Sequence, residues 1–488
     1  MKLVSITASI TITAQVTLAQ DQAPLVPADG AVLLGAWYDR NNSDTPSRVN
    51  ARLNYKPLSF FQTDVDFGGT LKPWTAPNVV IPQFLDQLKK TNTDAMGMLT
   101  IYPYQGYSNI TDKQIQDMAD SLNAIVNAGH SLFVRFASEM NGSWFNYGQD
   151  PVGFLAAWKR CIPAWKKALG ANSSKVAFIW SPNSGNGYPY KSGDYAIVKK
   201  LNSTDPAVQN NFKLLDTNND NVLDDADNPY LPYYPGDDLV DWVGVSVYHY
   251  GQKFPWVDNS VPVEKEFESF LTGRPDNIDT IGFFGRYPFY SAFSGPNGVK
   301  DVSGKIVSAG NKPLIISETG AAFHFAWDDN TTDDTKRPNE CNVPYCDETT
   351  NRIDIKMAWW KSFLNKDFIK LYPKIKAVCS FEFIKNEELT WRDFTTFGSA
   401  PNPFMSDQEA HPNGLKFEGE DNQVAVTFTN ELKSKNMDFI VYAQAVNNSG
   451  TGVATVTGTG TSLVTTKSDA VQNAGYVAIL AFVAMFGF

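Results

Sequence analysis

Cysteine and histidine are scarce in this chain of 488 residues, with four of each. They nowhere gather at ligand spacing, so no catalytic metal is expected. Cys341 and Cys346 are close enough in sequence to close one small loop, while Cys161 in a helical stretch and Cys379 in an apolar run read as buried thiols. Positive charge is also short, with 41 Lys and Arg against 52 Asp and Glu, a net charge of −11. Nucleic-acid binding draws on clustered Lys and Arg, so that class of partner is excluded; a neutral polysaccharide is compatible with the balance. Internal repeats and a second-domain linker are missing as well. What remains is globular, 43% hydrophobic and 13% aromatic, enough to bury a sizeable core. The length alone admits one large barrel or two ordinary domains.

Uncharged apolar stretches mark the two ends. The first, MKLVSITASITITAQVTLAQ, has one Lys, an apolar region diluted by Thr, and small residues near Ala19, the layout of a signal peptide over residues 1–19. Sequons at Asn41, Asn109, Asn172, Asn202, Asn330 and Asn447 fit a secreted glycoprotein. The last, AGYVAILAFVAMFGF, is shorter than the ~20 residues of a spanning helix. Small residues at 458–462 and a polar spacer at 463–473 precede it, which is the order of a GPI-attachment signal, with Gly460 the candidate attachment site. Residues 447–466 read as a Gly/Thr-rich stalk and 461–488 as the signal, leaving 20–446 for the folded domain. The expectation is a monomer outside the cell, touching membrane only through a lipid anchor.

Within that domain, apolar strand-like runs recur at 32–37, 58–61, 95–99, 132–136, 176–180, 240–247, 314–316 and 377–383, with helical stretches between them. Eight such runs predict a closed (β/α)8 TIM barrel. Between the third and fourth, residues 112–128 place Ile115, Met118, Ala119, Leu122, Ile125 and Val126 on one helical face, with Thr111 as cap. Long loops at 190–235 and 251–308 follow strands, where a barrel builds its chemistry.

The stretch LFVRFASEMNGSWFNYG, residues 132–148, sets Arg135 in an apolar strand and ends it in Glu139, Asn141, Trp144 and Tyr147. A carboxylate among polar donors and aromatics suits a sugar, which presents apolar ring faces rimmed with hydroxyls. A second carboxylate, Glu318 in IISETG, also ends a buried run. Two carboxyl groups, one protonated and one ionised, are what glycoside cleavage requires. Trp144, Tyr147, Trp180 and Trp256 are candidate sugar platforms.

The order of strand Arg, Glu-Met-Asn-Gly, Trp and Tyr-Gly, continued by IWSPN at 179–183, YYPGDDLVDWVGVSVY at 233–248 and IISETG at 315–320, resembles glycoside hydrolase family 26, best known for endo-β-1,4-mannanases. The resemblance spans about residues 32–388. It implies a retaining hydrolase of a β-linked polysaccharide such as mannan, with Glu318 as nucleophile, Glu139 as acid/base and Tyr248 bonded to the nucleophile. Two positions depart from the family: Ser138 stands where a histidine precedes the acid/base, and Ser380, with Phe381 beside it, where a tryptophan floors the site. These departures keep open a mixed-linkage β-glucanase, or a catalytically weak glycan-binding or structural cell-wall protein.

One loop has a signature of its own. In DTNNDNVLDDAD, Asp216, Asn218, Asp220, Asp224 and Asp227, with the carbonyl of Val222, fall at the offsets of a calcium loop, so structural calcium is expected there.

Overall fold

The computed structural model describes residues 23–40, 44–252, 256–273, 287–327, 351–387, 389–397 and 423–446. The signal peptide, the stalk and anchor signal, and the Cys341 and Cys346 pair lie outside the described residues.

Eight parallel strands form the central sheet: β1 (Val32–Tyr38), β2 (Phe60–Asp66), β3 (Met96–Tyr102), β4 (Leu132–Phe136), β5 (Val176–Trp180), β6 (Trp242–His249), β7 (Leu314–Ala321) and β8 (Ile375–Glu382). Each pairs with the next, and β8 closes on β1 from Leu33 opposite Ala377 to Tyr38 opposite Glu382. The sheet is therefore the closed (β/α)8 barrel expected. Its strands overrun the apolar stretches at their C-terminal ends: β2 adds Gln62 to Asp66, β3 reaches Tyr102 and β7 reaches Ala321. Hydrophobic patterning stops at the first polar residue, but backbone pairing does not depend on side-chain polarity and continues to the barrel mouth.

Alternate residues of each strand face two separate cores. Leu33, Phe60, Met98, Phe133, Ile179, Trp242 and Ile315 fill the barrel interior. Phe133 meets Phe60 and Trp242 edge-on at ring separations of 5.6 and 5.0 Å. Gly35 makes room, since a Cβ there would come within 2.5 Å of the Phe60 ring. Beneath this layer the N-terminal segment plugs the barrel, Leu25 and Val26 packing against it and the carbonyl of Pro24 accepting from Trp242 Nε1 at 2.7 Å. The short strand Ile440–Val441 pairs beside β1 at the same end. A closed bottom leaves the C-terminal mouth as the way in.

The outward-facing residues pack under the helices. Helix α1 (Asp112–Asn127) begins with a capping box between Thr111 and Gln114 and buries the six apolar residues its periodicity predicts. Such a cap is worth about 1 kcal/mol. Helix α2 (Pro151–Leu169) starts from the Asp150 cap and buries Trp158, Cys161 and Trp165. Cys161 and Cys379 are free and buried, as read from the sequence. At the mouth, the strands Phe323–Trp327, Thr390–Asp393 and Ile384–Glu387 form a small antiparallel sheet in that order.

Candidate active site

Glu139 is held three residues beyond β4 in a turn of uncommon backbone geometry. Ala137 and Glu139 both adopt the left-handed region, φ 51° and 53°. Such strain in non-glycine residues costs about 1–3 kcal/mol each and persists only where surroundings impose it. The imposing contacts are specific. Glu139 N donates to Ser181 O at 2.9 Å and Gly142 N to Glu139 O at 2.8 Å. Asn141 is buried and clamps Asn183 through both ends of its amide, at 2.8 and 2.9 Å. Gly142 must lack a side chain because a Cβ would lie 2.3 Å from the Trp144 ring. That ring in turn donates Nε1–H to Glu139 Oε2 at 2.8 Å.

Glu318 ends the apolar part of β7 and receives three donors. Arg135 Nη1 forms a salt bridge to Oε1, Tyr248 Oη donates to Oε2 at 2.8 Å, and Gln62 Nε2 approaches Oε1 at 3.5 Å. Arg135 is fully buried, and its remaining arms are fixed by Ser181 Oγ at 3.0 Å and Ser246 Oγ at 2.7 Å. The charge in the apolar strand therefore serves the opposite carboxylate. Burial pushes Glu139 up to about 7, and the charge of Glu318 adds to this; Arg135, the Ser246 hydroxyl and the Trp144 N–H act against it. Glu139 can thus keep a proton to near-neutral pH and release it to a leaving group.

Both acids line one cleft of about 1120 Å³, open solvent at its mouth included. Its walls are Trp37, Tyr102, Tyr104, Trp144, Phe145, Tyr248, Tyr250, Phe381 and Phe383, interspersed with Arg40, Asp64, Asn183, Lys385 and Glu387. Of the residues predicted from sequence, Glu139, Glu318, Trp144, Tyr248 and Phe381 line the cleft. Arg135 and Asn141 sit behind it as supports.

Three other predictions need correction. Ser138 is buried outside the lining; its carbonyl accepts from Tyr147 Oη at 2.9 Å. The two left-handed residues flanking it break strand alternation, so neighbours in sequence do not share the cleft. Tyr147 stacks on Phe145 at 4.9 Å and is core, leaving Phe145 to face the cleft. Trp180 has no exposed surface; it bonds Tyr233 O at 2.9 Å and stacks on Phe289. Trp256 is half-buried, its carbonyl accepting from Arg392. On β8 the two faces divide: Ser380 is buried and bonds Glu382, whereas Phe381 points into the cleft and packs on Trp37 at 4.9 Å. Neither family departure, Ser138 or Ser380, thus forms the cleft wall.

Sequence reasoning missed Trp37, Asp64, Tyr102, Tyr104 and Phe383. All follow or end apolar runs, and the alternation of Tyr102 with Tyr104 was the available signal.

Structural calcium in the 216–227 loop is not shown. The acids of the loop accept from its own amides: Asp216 from Asp220 N and Asn221 N at 3.1 and 2.9 Å, Asp227 from Thr217 N at 2.6 Å and Asp224 N at 3.1 Å. Asp220 and Asp224 bond the amides two residues on, Asn218 turns to Asp220, and Val222 is exposed. Among the described residues no group of three or more His, Cys, Asp or Glu is placed to hold a metal ion. The spacing builds a chain of Asx turns, with Asn219 and Asn221 in the left-handed region.

Fold and site together define a (β/α)8 barrel whose open mouth presents two carboxyl groups of unlike environment in an aromatic cleft. No family model and no curated protein matches the chain. Solved structures to which it is similar include a glycoside hydrolase family 26 β-mannanase from Bacteroides ovatus, 14% identical, TM-score 0.41, covering 86% of this chain and 92% of that one. A modular endo-β-1,4-mannanase from Cellulomonas fimi is 12% identical, TM-score 0.40, covering 86% and 74%. The YdhT protein of Bacillus subtilis is 13% identical, TM-score 0.35, covering 73% and 82%.

Proposed function

We propose that the protein is a glycoside hydrolase that cleaves a β-linked polysaccharide, mannan-like, by a retaining double displacement. The observation that carries this reading is the pairing of Glu139, protonated to near neutrality, with Glu318 in its salt bridge to Arg135, both in one aromatic cleft. Glu318 attacks the anomeric carbon as a carboxylate; Glu139 protonates the departing oxygen and then, as base, activates the water that releases the sugar. Tyr248 and Arg135 fix the orientation of Glu318, and Trp144 that of Glu139. The aromatic walls take the apolar faces of successive sugars. No cofactor enters these steps. We further propose that the protein is secreted and held at the cell surface by a lipid anchor; release by phosphatidylinositol-specific phospholipase C tests that point.

The test of function is a screen of the protein against mannan, mixed-linkage β-glucan and xylan, with reducing ends as readout. Glu318→Ala should abolish hydrolysis of every substrate. Glu139→Ala should abolish it for polysaccharide but spare aryl glycosides with good leaving groups, which need little protonation. Equal loss on both substrate types removes Glu139 as the acid, and no reducing ends from any glycan overturns the hydrolase.

A further inference from the structure

Strand β2 delivers two carboxylates to the cleft, Asp64 and Asp66, two residues apart and so on one face. Asp66 is consumed locally: Oδ1 accepts from Gly68 N at 3.1 Å, and Oδ2 from Leu71 N at 2.7 Å and Thr70 Oγ1 at 3.4 Å. It ties down the turn after the strand. Asp64 has no such employment. Its Oδ2 accepts from Trp37 Nε1 at 2.8 Å, while its Oδ1 is buried and has no hydrogen-bond partner among the described residues. A buried polar atom left unpaired costs about 1–3 kcal/mol, and such exceptions mark places where something other than folding sets the residue.

The surroundings say what that is. Trp37 packs against Phe381 at 4.9 Å and Phe383 at 5.0 Å, so the group that grips Asp64 belongs to the aromatic wall of the cleft. Gln62, two residues before Asp64 on the same face of β2, reaches Glu318 Oε1 at 3.5 Å, and burial, with the charge of Glu318 second, pushes the Asp64 carboxyl up to about 7. Asp64 therefore stands on the nucleophile's side of the cleft. A carboxyl oxygen beside an aromatic face matches the hydroxyl rim and apolar face of one sugar ring.

We infer that Asp64, positioned by Trp37, contacts the substrate: it binds a hydroxyl of the sugar on the Glu318 side of the cleaved bond and helps select which sugar is accepted there. This rests on reading the cleft as a polysaccharide site. The step asks only for a hydrogen bond in which the sugar hydroxyl donates to the half-buried Asp64 carboxylate where it lines the cleft.

The test is calorimetric titration of β-1,4-linked mannobiose, cellobiose and xylobiose into the full chain, the Asp64→Ala variant and the Asp64→Asn variant. Asp64→Ala should weaken the tightest of the three by about 10- to 100-fold, the loss of a hydrogen bond to an ionisable group. Asp64→Asn, which keeps an oxygen for Trp37, should lose less but at least about threefold by the same hydrogen-bond accounting. Parent-like affinity in both variants overturns the inference, as does failure of the parent to bind any of the three. Should Asp64→Ala not fold, parent-like affinity in Asp64→Asn overturns it alone. Asp64-dependent binding by a protein that releases no reducing ends would overturn the hydrolase and leave this assignment standing.

Discussion

Replacing Trp144 by Phe probes Glu139, the proposed acid/base, through a single atom. Phenylalanine keeps an aromatic ring against the turn but removes the Nε1–H that Glu139 Oε2 accepts at 2.8 Å. That donor favours the carboxylate, so its loss raises the proton affinity of Glu139 above its present value of about 7. A hydrogen bond to a charged group contributes about 1.5–3 kcal/mol. At about 1.4 kcal/mol per pKa unit the ceiling is roughly 1–2 units. Burial, the charge of Glu318 and the Ser246 hydroxyl all remain, which places the expected rise near 1 unit by the same conversion. A general acid must be protonated to act, so activity falls as pH rises through this pKa, and the fall should move to higher pH. The assay is kcat/KM on the best polysaccharide from acid to alkaline pH, which reports groups of the free enzyme. The acidic limb should stay in place. An alkaline limb that stands still, or moves toward acid, refutes the assignment of the Trp144 N–H as the group tuning Glu139.

Arg135→Lys should lower kcat/KM by ~100-fold or more, because one ammonium cannot serve Glu318, Ser181 and Ser246 together; steady-state kinetics on folded variant checks it. Trp180→Ala should destabilise the fold by about 3–5 kcal/mol, as for a buried tryptophan, while kcat/KM per folded molecule stays near the parent's; denaturant melts with matched kinetics separate the two effects. Glu139→Gln should melt higher than the parent at pH 8 and equally near pH 4.5. The folded Glu139 has a raised pKa, so its contribution is full below the unfolded value and is lost as pH rises through about 7, whereas glutamine does not titrate. Differential scanning calorimetry at the two pH values reads the sign. Chelation by EDTA should leave the melting temperature unchanged, since the acids of residues 216–227 are satisfied by the loop's own amides; a lowered melting point would establish a bound cation.

The sequence by itself determined the barrel, and it set Glu139 and Glu318 at or just beyond strand ends, from which both line the cleft. Apolar runs at regular intervals are a local signal, and the order of Arg135, Glu139, Tyr248 and Glu318 in ordered motifs is readable without coordinates. What it could not decide was direction. Trp144 and Trp180 are the same residue at the end of similar runs, yet one holds Glu139 and the other is sealed against Phe289. Ser138 adjoins the acid in sequence but leaves the cleft because Ala137 and Glu139 turn left-handed, a conformation imposed from β5 and its loop through Ser181 and Asn183. The acid spacing of 216–227 fits a calcium loop and a run of Asx turns equally well, and only the fold shows which amides its oxygens accept from. Asp64 and Asp66 likewise look interchangeable in sequence. Patterning records which residues prefer to leave water; which donor, ring or amide each one then meets depends on strands far apart in the chain, and that is decided only when the barrel closes.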